Sequence, residues 1–162
     1  MRSIKICLLV FLLLYVSNCI HGQSMHLNYV IFVDDKLVEG YYPGMFIIKD
    51  SLNNVSDTIK FNYEVGDLIV SSSGYEKLMV LKSDAKIKFV LNYRNTCPYE
   101  DLVFSTEETK YWLIERYVIM RVYNYKNKHN QKIFREKSGY GIEINIPGGG
   151  MILPRKKSKK WW

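Results

Sequence analysis

Carboxylates are the first residues here whose spacing could do chemistry. Glu107, Glu108 and Glu115 sit within one short stretch, and a glycosidase-type reaction needs two carboxyl groups about 5–10 Å apart across a cleft. Asp34-Asp35, and Asp50 with Asp57, offer hard oxygen ligands, but no D-x-D-x-D-G spacing marks a calcium loop, so capping of turns is the plainer reading. His21, His26 and His129 lack zinc-ligand spacing, and Cys97 brings one thiol rather than a cluster. Ser71-Ser72-Ser73-Gly74 is no nucleophile elbow, which needs glycine on both sides of the serine. Pro147-Gly148-Gly149-Gly150 lacks the Lys-Ser/Thr of a phosphate loop and reads as a turn. The expectation is a protein without catalytic residues, metal or cofactor. The alternative is a small envelope hydrolase using its carboxylates.

Cations tell a more local story. The formal net charge is +7, but Arg2 and Lys5 lie in the leader, and Arg155, Lys156, Lys157, Lys159 and Lys160 in the last eight residues account for the rest. The body is balanced, unlike a nucleic-acid-binding domain that spreads charge over a face, so no specific nucleic acid is expected. The tail adds Trp161 and Trp162 to its five cations. That composition suits an anionic membrane surface or another polyanion, where each cation contributes about 1 kcal/mol and tryptophan favours the interface. The plain alternative is a solvated charged end.

The other end reads as an export signal. Arg2 and Lys5 precede an apolar run, Ile6 to Val16, of about 11 residues, short of the ~20 a spanning helix requires. Cleavage after Gly22 is the primary expectation. The alternative is lipidation of Cys19, since Val16-Ser17-Asn18-Cys19 resembles a loose lipobox whose Asn18 departs from the usual small residue. Cys7 and Cys19 leave with the leader in the first route, and Cys97 then has no disulfide partner in the chain. The protein is expected to be periplasmic or extracellular, or alternatively a membrane-anchored lipoprotein.

Between these ends the chain alternates and turns. Strands are expected at Leu27–Val33, Leu37–Gly40, Met45–Lys49, Thr58–Val65, Leu68–Ser72, Glu76–Leu81 and Lys86–Tyr93. Asn95–Glu108 reads as a loop-rich connection with a short strand at Leu102–Phe104. Tyr111–Tyr125 is rich in aromatic, Val and Ile residues and reads as one long central strand. Asn127–Gln131 reads as a hairpin turn, followed by strands at Lys132–Lys137, Tyr140–Ile146 and Met151–Leu153. Gly and Asp turns punctuate the runs, and no helix is expected. The fold class is all-β, an antiparallel β-sandwich. The organisation is a leader over 1–22, one domain over 23–154, and the basic aromatic tail over 155–162.

Within the domain, Phe61, Val65, Gly66, Asp67, Leu68, Val70, Ser71, Gly74, Tyr75, Val80, Ile87 and Leu91 form a pattern. It resembles the carboxypeptidase regulatory-like (transthyretin-like) domain. The resemblance covers about Leu27 to Tyr93 and departs from the family at Asp57–Phe61, where a glycine is missing. It implies a transthyretin-like core with residues 94–154 as a C-terminal strand extension. Such domains accompany bacterial carboxypeptidases, surface proteins and outer-membrane receptors as rigid β-modules without a catalytic site. The expected role is a secreted or periplasmic binding or interaction module of the bacterial envelope. Its expected partner is another envelope protein or a glycan.

Overall fold

A strand with one buried face shows itself by alternation, and the burial of Leu27, Tyr29, Ile31 and Val33 against their exposed or half-exposed neighbours does so over the first element. The computed structural model describes residues 24–50, 52, 54–96, 99–114, 117–134 and 138–153. Its elements in chain order are β1 (Ser24–Val33), β2 (Lys36–Leu37), β3 (Tyr42–Lys49), β4 (Val55–Glu64), β5 (Gly66–Ser71), α1 (Ser72–Val80), β6 (Lys86–Thr96), β7 (Tyr99–Thr109), α2 (Lys110–Leu113), β8 (Val118–Asn124), α3 (Lys128–Phe134), β9 (Tyr140–Ile146) and β10 (Gly150–Ile152). The leader, Cys19, Cys97, Glu115 and the tail from Arg155 to Trp162 lie outside the described residues.

The protein is all-β in class, but its strands join one continuous sheet in the order β10-β9-β8-β1-β5-β4-β3-β6-β7, with β2 added to β1. The expected antiparallel pairing gives way at one place. β1 pairs antiparallel with β5 through Ser24–Tyr29, then parallel with β8 through Tyr29–Val33. The strands after Tyr93 therefore belong to the same sheet as those before it.

The sheet curls strongly. In a flat sheet β1 and β6, four spacings apart, would be separated by about 19 Å. Yet the rings of Tyr29 and Phe89 stack with centroids 5.7 Å apart. The far ends approach each other too, with Phe104 of β7 and Tyr140 of β9 at 6.3 Å. The enclosed face holds the core, in which Tyr29, Phe46, Tyr63, Phe89 and Phe104 are fully buried. Burial of each large aromatic side chain removes some 150–250 Å² from water, which makes this cluster the main stabilising term.

Three expected strands are wholly or partly helix, and of the expected strand Leu37–Gly40 only Leu37 is strand, in β2. Glu76–Leu81 falls in α1. Ser71 is extended and its Oγ accepts from the Gly74 amide at 3.2 Å, which starts the helix, and Gly74 and Leu78, four apart, face the sheet. Tyr111–Tyr125 is broken into α2 and β8, the break serving the crossover that brings β8 parallel to β1. Lys132–Lys137 overlaps α3, whose start is organised by Asn127 Oδ1 accepting from the His129 amide at 3.0 Å. Conversely, the expected connection over Asn95–Glu108 is mostly strand, because β7 pairs with β6 along eleven residue pairs.

Candidate functional site

The sequence-level candidates scatter. Glu107 and Glu108, as neighbours on β7, point to opposite faces of the sheet. Glu107 is ion-paired with Lys49, and Glu108 is half-buried, its carboxyl pushed up by desolvation, partly offset by Lys86. They do not form a pair across a cleft. Asp50 caps its own loop, Oδ1 accepting from the amides of Leu52 and Asn54 at 2.9 and 2.8 Å. Asp57 holds Lys77 at 2.7 Å, and that hydrogen bond lowers its pKa. His26 lies 3.5 Å from Asp67, and no group of three or more His, Cys, Asp or Glu among the described residues could hold a metal. Asp34 and Asp35 form the β1–β2 turn, both with positive φ. Of the resemblance-bearing residues, Gly66 has φ 93° in the β4–β5 turn, as a tight turn demands, and Tyr75 packs against the core from α1.

A different set of residues converges. β3 pairs with β6 only from Gly44↔Leu91 to Ile48↔Ile87, whereas β6 and β7 stay paired out to Thr96↔Tyr99. The β6–β7 ribbon thus runs on past the start of β3 as a two-stranded arm. Pro43 supplies no amide to continue the β3–β6 ladder. At the base of the arm lies a hollow of about 480 Å³ lined by Tyr41, Tyr42, Pro43, Asn92, Tyr93, Arg94 and Val103. Asn92 and Val103 are register partners and share its outer wall.

Two of its aromatic rings are fixed. Tyr42 and Tyr93 meet edge to face at 5.2 Å, and the Tyr42 hydroxyl donates to the Glu39 carbonyl at 3.0 Å. Desolvation raises the Tyr93 pKa, and the Tyr42 and Asp34 charges add to it, so its hydroxyl stays a neutral hydrogen-bonding group. Tyr41 is 62% exposed, and Val103, at 57%, lines the same hollow from the arm. The hollow offers aromatic faces beside an amide and a guanidinium, and each of those polar groups can donate more than one hydrogen bond.

A second hollow, about 490 Å³, runs along β4, β5 and α1 and is lined by Thr58, Lys60, Ser71, Ser73 and Lys77 among others. Its Lys77 is engaged by Asp57, and strand backbone and small polar groups make up much of the rest. The tyrosine hollow is the better binding candidate, because an exposed ring sharing one hollow with fixed rings is where an apolar ligand face gains most. Tyr41 and Tyr42 read as turn residues in the sequence. The signal that points to them is the density of tyrosine, 13 in the chain.

No family model, no curated protein and no solved structure matches this chain. Among the described residues, no helix is long and apolar enough to cross a membrane.

Proposed function

We propose that the protein is an exported, non-catalytic binding module of the bacterial envelope that takes a glycan in the hollow at the base of the β6–β7 arm. The observation that carries this reading is Tyr41, largely exposed, lining the same hollow as the edge-to-face Tyr42–Tyr93 pair. A sugar ring has an apolar C–H face and a rim of hydroxyls. The first suits the tyrosine faces, and the second suits the Asn92 amide and the Arg94 guanidinium. The leader supports export, and the regulatory-like pattern at Phe61–Leu91 supports a rigid accessory module over an enzyme.

Titration calorimetry with soluble peptidoglycan fragments and chitooligosaccharides tests it. Binding is expected for at least one class. Tyr41→Ala should weaken it about tenfold, roughly 1.4 kcal/mol, with the melting temperature unchanged because Tyr41 buries little. Absence of binding by the parent protein, or equal binding by the variant, refutes the reading.

A further inference from the structure

Pro43 lines both hollows. On one side it is the register partner of Asn62 of β4, which lines the second hollow. On the other side, Gly44↔Leu91 is the last pair of the β3–β6 ladder. The next step of that register sets Pro43 beside Asn92, which lines the tyrosine hollow. Residues opposite one another on neighbouring strands share a face of the sheet. Asn62, Pro43 and Asn92 therefore form one row, and two side-chain amides flank the exposed pyrrolidine ring on strands about 10 Å apart. The two hollows adjoin along this row.

Charge gives the row a direction. The combined lining holds Lys60, Lys77 and Arg94 and no aspartate or glutamate. Asp57 offsets Lys77 at 2.7 Å. Lys60 is exposed, and its ammonium has no partner among the described residues. Side chains alternate along β4, so Lys60, Asn62 and Glu64 share a face. Glu64 is the register partner of Asp67, and neither lines a hollow. An anionic group is therefore favoured on the Lys60 side of Asn62 and repelled on the Glu64 side. One unpaired ammonium matches a singly charged carboxylate. The Thr58 and Ser73 hydroxyls and the Asn62 amide suit the neutral rim of a sugar.

We propose that the two hollows are halves of one site, which holds a carboxylate-bearing oligosaccharide laid across Pro43 with an acidic group against Lys60. This rests on the glycan reading of the tyrosine hollow and narrows it to an acidic chain of several sugars. Tyr41 takes an apolar sugar face at one end, and Lys60 donates to the carboxylate at the other. Asn92 and Asn62 engage hydroxyls between them.

The test uses the full chain and two probes. One is chitotetraose, which is neutral. The other is the peptide-free tetrasaccharide of peptidoglycan, which has a similar backbone and carries lactyl carboxylates on alternate sugars. Calorimetry gives the affinities, and amide NMR gives the residues touched. The acidic tetrasaccharide should bind about tenfold more tightly than chitotetraose, as a hydrogen bond to a charged group allows. It should shift the amides of both Lys60 and Asn92. Lys60→Gln should bring the two affinities within about threefold of each other, and Lys60→Arg should keep most of the difference. Equal binding of the two probes by the parent, or an undiminished preference in Lys60→Gln, overturns the acidic ligand. Shifts confined to one hollow overturn the continuous site. Either result leaves the glycan reading standing, provided that Tyr41→Ala still weakens binding. If that variant binds as the parent does, or the parent binds neither probe, the glycan reading fails and this proposal fails with it.

Discussion

Asp34 ties more of the chain together than any other polar residue described above. Its Oδ1 accepts from the Asn124 amide at 2.8 Å and from Asn130 Nδ2 at 2.6 Å, and its Oδ2 accepts from Asn127 Nδ2 at 3.2 Å. Its own amide donates to the Val122 carbonyl at 2.9 Å. One carboxylate in a tight turn thereby fixes the whole β8–α3 junction. Asp34 sits at φ 51°, where Asn and Asp are tolerated and Ala is not. Asp34→Ala should cost about 1–3 kcal/mol, because the buried amide of Asn130 loses an acceptor. Asp34→Asn should cost less, since it keeps the backbone preference and one acceptor oxygen. Equal losses in urea unfolding would sink this account. Tyr123 makes a second residue-scale prediction. Desolvation, then the hydrogen bond its hydroxyl donates to Glu143, pushes its pKa from 10.0 up to about 12. A folded pKa above the unfolded one means that the stabilisation is complete below pH 10 and is lost as pH rises from there toward 12. Unfolding free energies measured across that window should fall less steeply for Tyr123→Phe than for the parent. Parallel curves would refute the assignment.

At the scale of elements, α1 shows where the sequence is legible and where it is not. The strands that alternate cleanly, such as Ile59, Phe61 and Tyr63 of β4, can be read directly, because period two needs only local information. Glu76 to Leu81 also alternates loosely, yet it is helix, because a cap at Ser71 and the small Gly74 let the segment fold onto Ile59 and Val70. Those contacts are long-range and leave no periodic trace. The tyrosine hollow was hidden for the same reason. It exists because the β3–β6 ladder stops at Gly44 while β6–β7 continues, a property of register rather than of composition. α1 also explains a buried lysine. Lys110 donates to the carbonyls of Met79 and Leu81, at 2.9 and 2.8 Å, placing its charge on the negative end of that helix. Two substitutions test the element. Ser71→Ala should cost about 1 kcal/mol as a lost cap. Gly74→Ala should cost more, although alanine is the better helix former by about 1 kcal/mol, because its methyl would stand 2.7 Å from Ile59 Cγ2 and 3.0 Å from Val70 Cγ1. A stabilised Gly74→Ala in denaturant titration would mean that α1 is not held against the sheet.

For the whole molecule, β1 decides whether this is one folding unit or two. The stretch resembling a known domain ends near Tyr93, so a self-sufficient core with an appendage is one way to build the chain. The pairing argues otherwise. Tyr29–Val33 has β8 as its parallel neighbour, and the Tyr29 hydroxyl donates to the carbonyl of Leu113, a group that also lies beyond Tyr93. Phe89 packs on Phe104, and Phe104 on Tyr140, so the curled face is completed only by β7 and β9. Cutting the chain after Tyr93 would strand one flank of β1, leave the buried Tyr29 hydroxyl without its acceptor, and expose β6 as a free edge. A buried donor left unmade costs about 1–3 kcal/mol, and losing the Phe104 side of the core costs about 3–5 kcal/mol more, by analogy with a Phe→Ala substitution. Together these match a large part of the 5–15 kcal/mol that holds a typical domain folded. The fragment 24–93 should therefore show neither dispersed amide resonances nor a cooperative melt, while 24–153 should unfold in a single transition seen alike by far-ultraviolet circular dichroism and tyrosine fluorescence. A sharp melt of the short fragment would establish the strands after Tyr93 as an addition to a complete domain, and the role assigned here to β1 would be wrong.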